Sequence, residues 1–117
     1  GLASLPAAVA AKGVSGSIGF DGTMVVIEHG GIKAKTNGYD REIRIPITAV
    51  HDIEWKEPTI AVNGHVRLVV PLADGTLPAK PKQAAADPHT VLFAKQHRGR
   101  FEPVLAALEA ARANGAG

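Results

Sequence analysis

Apolar residues recur at every second position in one short run after another, and each run is cut by glycine, proline, asparagine or aspartate. That period belongs to a pleated strand with one buried face. Ile18 and Phe20 share a face in the run from Ser15 to Phe20, as do Val25 and Ile27 in Met24 to His29. Arg41 to Ile45 alternates strictly, with Ile43 and Ile45 inward and Glu42 and Arg44 outward. Ile53 and Trp55 set the inner face of His51 to Lys56. Val66, Leu68 and Val70 set that of His65 to Leu72, and Val91 and Phe93 that of His89 to Lys95. A shorter extended piece covers Ile32 to Lys35.

The punctuation is that of an antiparallel sheet. Asp21-Gly22 and Asn63-Gly64 are tight-hairpin pairs, because both tolerate positive φ. Thr36-Asn37-Gly38 is a further turn. Pro46 has no N–H for a ladder, so it ends one strand and opens a short helical turn up to Val50. Residues 73–88 hold Pro78, Pro81 and Pro88 around Ala84-Ala85-Ala86 and read as a mobile loop. Residues 1–12, Ala-rich with one charge at Lys12, read as a flexible arm or a short docked helix. Residues 114–117 read as a disordered tail. Between the two lies a single domain, residues 13–113, within the usual size of about 100–150 residues.

Only the C-terminal stretch changes period. Phe101, Val104, Leu105 and Leu108 fall at i, i+3, i+4 and i+7, one stripe of an amphipathic helix. Pro103 is expected in its first turn, and Asn114-Gly115 at its stop. Six or seven antiparallel strands and one helix predict an α+β chain. In it the strands form a barrel or sandwich, and the helix caps an open end with its apolar stripe.

Four stretches carry a resemblance: Gly19-Phe20-Asp21-Gly22, Ile53-Glu54-Trp55-Lys56, Gly64-His65-Val66-Arg67-Leu68, and Thr90-Val91-Leu92-Phe93 followed by Phe101. In this order and spacing the chain, from about Gly13 to Ala111, resembles an uncharacterised bacterial domain family, mostly actinobacterial and phage-borne. The resemblance implies a pleckstrin-homology-like fold and a binding or assembly scaffold, with no enzymatic activity to carry over.

The residues themselves exclude more than they assign. With no cysteine there is no disulfide framework, thiolate zinc site or thiol nucleophile. His29, His51, His65, His89 and His97 are scattered without metal-ligand spacing, although His51 and His65 could meet across neighbouring strands. Asp52 and Glu54 share a strand face, which is the ordinary solvated side of a sheet. No nucleophile elbow and no glycine-rich phosphate loop occurs. The reading is therefore a non-enzyme with no metal, no cofactor and no small-molecule substrate. A net charge of +2 and 4% aromatic residues argue against nucleic acid. No apolar run reaches the roughly 18–20 residues of a membrane-spanning helix, and cytoplasm is the expected compartment.

Two surfaces remain as candidates. Val26, Val69 and Leu92 point away from the core face and would mark a protein or self-association interface, either as a patch or beside an open sheet edge. Lys95, Arg98 and Arg100 cluster where the last strand meets the helix and offer an alternative, peripheral docking on an anionic membrane surface. Lys33, Lys35, Arg41 and Arg44 form a second basic group. The first hairpin loop, Asp21-Gly22-Thr23, is short and acidic, which disfavours inositol-phosphate capture there.

Overall fold

The computed structural model describes residues 9–30, 41–80 and 87–116. The piece from Ile32 to Lys35, the turn at Thr36-Asn37-Gly38 and the lysines Lys33 and Lys35 lie outside them. Among the described residues there are seven strands and one long helix. The strands are β1 (Val9–Lys12), β2 (Gly16–Phe20), β3 (Met24–His29), β4 (Glu42–Pro46), β5 (Asp52–Lys56), β6 (Gly64–Val69) and β7 (Thr90–Phe93). The helix, α1, is Arg98–Ala116.

The strands form two separate antiparallel sheets, β1-β2-β3-β4 and β5-β6-β7, and not a closed barrel. Within each sheet their order along the chain is their order in space. The alternation expected from sequence fixes the inner faces: Ile18, Val25, Ile27 and Ile45 in the first sheet, Val66, Leu68, Val91 and Phe93 in the second, all buried. Trp55 is half-buried against this core, with its ring centroid 4.9 Å from that of Phe93. Phe93 in turn stacks on Phe101 of α1 at 4.3 Å. Phe101, Val104 and Leu108 are buried, each at 2% exposure or less. Leu105 is only half-buried, and Ala107 and Ala111 complete the packed stripe in its place.

Several local expectations change. Val9–Lys12 is not an arm: it pairs with β2, Val9 opposite Phe20 and Lys12 opposite Ser17, and Ala11 is buried. The helix does not stop at Asn114-Gly115 but runs to Ala116. Pro103 lies inside it rather than in its first turn, because the helix already begins at Arg98. Gly99 and Pro103 are both exposed there, so water can meet the unpaired carbonyl. Asp21-Gly22 forms the expected turn. Gly22 has φ 104°, and Asp21 Oδ1 accepts the N–H groups of Thr23 and Met24, each at 2.8 Å. Those bonds, Met24 first and then Thr23, lower the Asp21 pKa. Asn63-Gly64 is not a two-residue turn. The chain reverses at Thr59 to Val62 instead, and Gly64 is the buried first residue of β6. A Cβ there would stand 2.2 Å from the Lys56 carbonyl oxygen, so close strand approach, not turn geometry, requires glycine.

Candidate functional site

Where a strand can still make hydrogen bonds follows from the ladders. In the second sheet, Leu68 N–H donates to the His89 carbonyl, so alternate residues of β7 face β6 and Leu92 faces outward. That outward position is closed by the chain itself. The Leu92 N–H donates to Ser15 Oγ at 2.9 Å, and the Leu92 carbonyl accepts Val14 N–H at 2.7 Å. On the other edge, Asp52 Oδ1 accepts the Ile53 N–H, and Arg112 of α1 donates to the His51 carbonyl. In the first sheet, α1 packs most closely against β1.

A further edge is β4. His29 N–H donates to the Arg41 carbonyl, and Ile47 N–H to the Thr23 carbonyl. With Ile27 opposite Ile43 and Val25 opposite Ile45, Arg41, Ile43 and Ile45 bond to β3. The N–H and C=O groups of Glu42 and Arg44 therefore point the other way, and no strand among the described residues pairs with them. Pro46 contributes a carbonyl only. Ile45 anchors the strand in the core at 4% exposure, and Ile43 is half-buried beside it. On the outer face, Arg44 Nε donates to Glu42 Oε2 at 2.7 Å.

The outer face of the second sheet is occupied differently. Arg67, 4% exposed, projects there and donates to Asp87 Oδ2 at 2.5 Å and to Glu54 Oε1 at 3.1 Å. A further bond goes to the Ala79 carbonyl at 3.4 Å. Burial opposes the guanidinium charge, but these carboxylates outweigh it and raise its pKa. The connection after β6 is thus tied to Arg67 at two points, Ala79 and Asp87. His29 Nε2 of β3 lies 2.6 Å from the Pro88 carbonyl and joins that connection to the first sheet. Burial pushes the neighbouring His89 pKa down, against the pull of Asp87.

The three apolar candidates do not form one patch. Val26 is half-buried in the first sheet, opposite Gly19 and Arg44. Val69 and Leu92 belong to the second sheet, where Val69 is buried at 6% and Leu92 half-buried. Of the basic trio, Lys95 and Arg100 are exposed, whereas Arg98 is engaged. Its guanidinium donates to both oxygens of Glu57, at 2.5 and 2.7 Å, and to Glu102. Arg98 first, and then the indole N–H of Trp55, lower the Glu57 pKa to about 2. His51 and His65 fall at opposite ends of the β5–β6 pair and do not meet.

Sequence reading missed Ile60, which stands 90% exposed at the β5–β6 turn. A groove of about 540 Å³ runs between the 3-10 turn Ile47–Ala49, the end of β6 and α1. Its walls include Ala49, Val70 and Ala111, with His51 and Arg112 at the polar side. Among the described residues no three His, Asp or Glu side chains gather as metal ligands, and no helix is long and apolar enough to cross a membrane.

No curated protein matches the chain. No solved structure matches it either. One family model does, over residues 18–109, from β2 to the second half of α1. The chain belongs to that family, the domain of unknown function DUF4429.

Proposed function

We propose that this chain is a non-catalytic protein-binding module of pleckstrin-homology-like fold that takes up an extended partner segment along the free edge of β4. Four strands, then three, then a C-terminal helix support that fold reading. The observation that carries the function is the outward row of Glu42 and Arg44 backbone groups on a strand held in place by Ile43 and Ile45. An added strand meets such a row with main-chain hydrogen bonds, and its side chains then read the neighbouring residues.

Arg44→Pro removes one outward N–H and leaves the bonds of Arg41, Ile43 and Ile45 to β3 in place. Arg44→Ala removes the side chain and keeps the N–H. Tagged wild-type chain and both variants, each checked for fold by circular dichroism, would be passed through host extract. The expected result is a protein retained by the wild type and by Arg44→Ala but lost from Arg44→Pro. Retention by all three overturns the reading; retention by none rules out a foreign strand and leaves the edge to a second copy of the chain.

One observation favours a second reading, docking on an anionic membrane. Ile60 is bare at a turn that follows Lys56, at the end of the molecule where Lys95 and Arg100 are also exposed. Salt-sensitive co-sedimentation with anionic but not neutral vesicles, abolished by Ile60→Asp, is the expected signature. Equal sedimentation of wild type and Ile60→Asp rejects it.

A further inference from the structure

The free edge of β4 is complementary to itself. Only Glu42 and Arg44 direct both backbone groups outward, and they lie on either side of Ile43. Consider a second β4 laid antiparallel, with a two-fold axis at Ile43. Glu42 of each copy then stands opposite Arg44 of the other. Both are hydrogen-bonded positions, so four main-chain bonds form. The same operation sets Glu42 against Arg44 on the outer face, twice, where opposite charges in cross-strand positions attract. On the inner face the two Ile43 side chains meet at the close, non-bonded position and continue the apolar row from Ile27.

The neighbouring registers fail on the same residues. Sliding by two residues one way sets Arg44 against Arg44 and Glu42 against Pro46, which has no N–H to give. Sliding the other way sets Glu42 against Glu42. A slide of one residue turns the apolar face outward. Charge, hydrogen-bond parity and proline together select one register.

From this self-complementarity we infer that the partner strand is β4 of a second copy of this chain, joined across a two-fold axis at Ile43 into one eight-stranded sheet. The inference rests on the edge reading above and names its partner. Its ladder is short, so the dimer is weak and forms as concentration rises.

Sedimentation equilibrium over a concentration series tests it. The wild type should show a monomer–dimer equilibrium that weakens with salt. Glu42→Arg faces each Arg44 with a like charge and should raise the dissociation constant about tenfold. The double exchange Glu42→Arg with Arg44→Glu restores opposite pairs and should return it to within about threefold of wild type. Arg44→Pro removes two of the four bonds and should raise it about thirtyfold or more. A wild type that stays monomeric throughout overturns the dimer alone, because the extract experiment then still decides whether a foreign strand uses the edge. A dimer indifferent to Arg44→Pro overturns dimer and edge together. Failure of the double exchange to recover overturns the register.

Discussion

The outer faces of the two sheets meet water in opposite ways. On the first sheet, β4 alternates between exposed Glu42, Arg44 and Pro46 and the inward Ile43 and Ile45, and nothing among the described residues pairs beyond it. On the second sheet, β6 buries both faces: Val66 and Leu68 inside, Arg67 and Val69 outside. On that face Arg67 ties the connection after β6 to the sheet, through Asp87 and the Ala79 carbonyl. The second sheet spends its outer face on its own chain. The first leaves β4 exposed on its outer face and unpaired at its edge among the described residues.

Arg67→Met tests that contrast most strongly. It strands Asp87, whose side chain is 11% exposed, without its cation, and should cost about 3–5 kcal/mol in urea unfolding. Arg44→Met on the first sheet removes an ion pair whose partners are 63% and 44% exposed and should change stability by no more than about 0.5 kcal/mol. Equal effects would erase the distinction between the faces.

A glycine pair separates a crowded strand start from an open strand position. Gly64→Ala forces a Cβ to 2.2 Å from the Lys56 carbonyl and 2.6 Å from Pro58 N, and should destabilise by about 1–3 kcal/mol. Gly19→Ala on the first sheet meets nothing nearer than the Val9 carbonyl at 3.6 Å and should stay within about 1 kcal/mol of wild type. Thermal unfolding of the two variants decides the ranking.

The covered face should also answer to acid. The His89 pKa is lowered from 6.5 in the fold, so the unfolded chain takes up that proton first. The stability tied to neutral His89 is full above 6.5 and falls as pH drops through the folded value. Urea midpoints of wild type should decline over that window more steeply than those of His89→Gln, and parallel curves would contradict the assignment. The smallest effect is expected at the exposed Arg98–Glu57 pair. Glu57 titrates at about 2 in the fold against an ordinary 4.5, so its contribution is present above 4.5 and gone as pH falls through about 2. Wild-type and Glu57→Gln melting curves should converge over that range.

Much of the inner architecture was legible because it is local. Period-two runs gave Ile18, Val25, Ile27, Ile45, Val66, Leu68, Val91 and Phe93 their inward face, and seven strands with one helix were within the expected count. What covers a face is not local. Val69 alternates like Val26, yet only Val69 is buried. One signal of that cover stood in the sequence: Arg67, a full charge inside an otherwise apolar run. Its partner Asp87 is twenty positions away and carries no pattern that names it. Val9–Lys12 was missed because three small apolar residues beside one lysine show too little alternation to mark a strand. Asn63-Gly64 misled because the same glycine that suits a turn also suits a crowded strand start. The site was half legible: strict alternation placed Glu42 and Arg44 on an outer face. Only the strand order, with β4 last in its sheet, makes their backbone an edge.

Amide hydrogen exchange along β4, followed residue by residue by NMR at rising protein concentration, tests the central claim most directly. In dilute solution the Ile43 and Ile45 amides, bonded to β3, should exchange slowly, and those of Glu42 and Arg44 fast. As concentration rises, Glu42 and Arg44 should become protected together while Ile43 and Ile45 change little. Glu42 and Arg44 amides already slow in dilute solution, or fast at every concentration, would contradict the account.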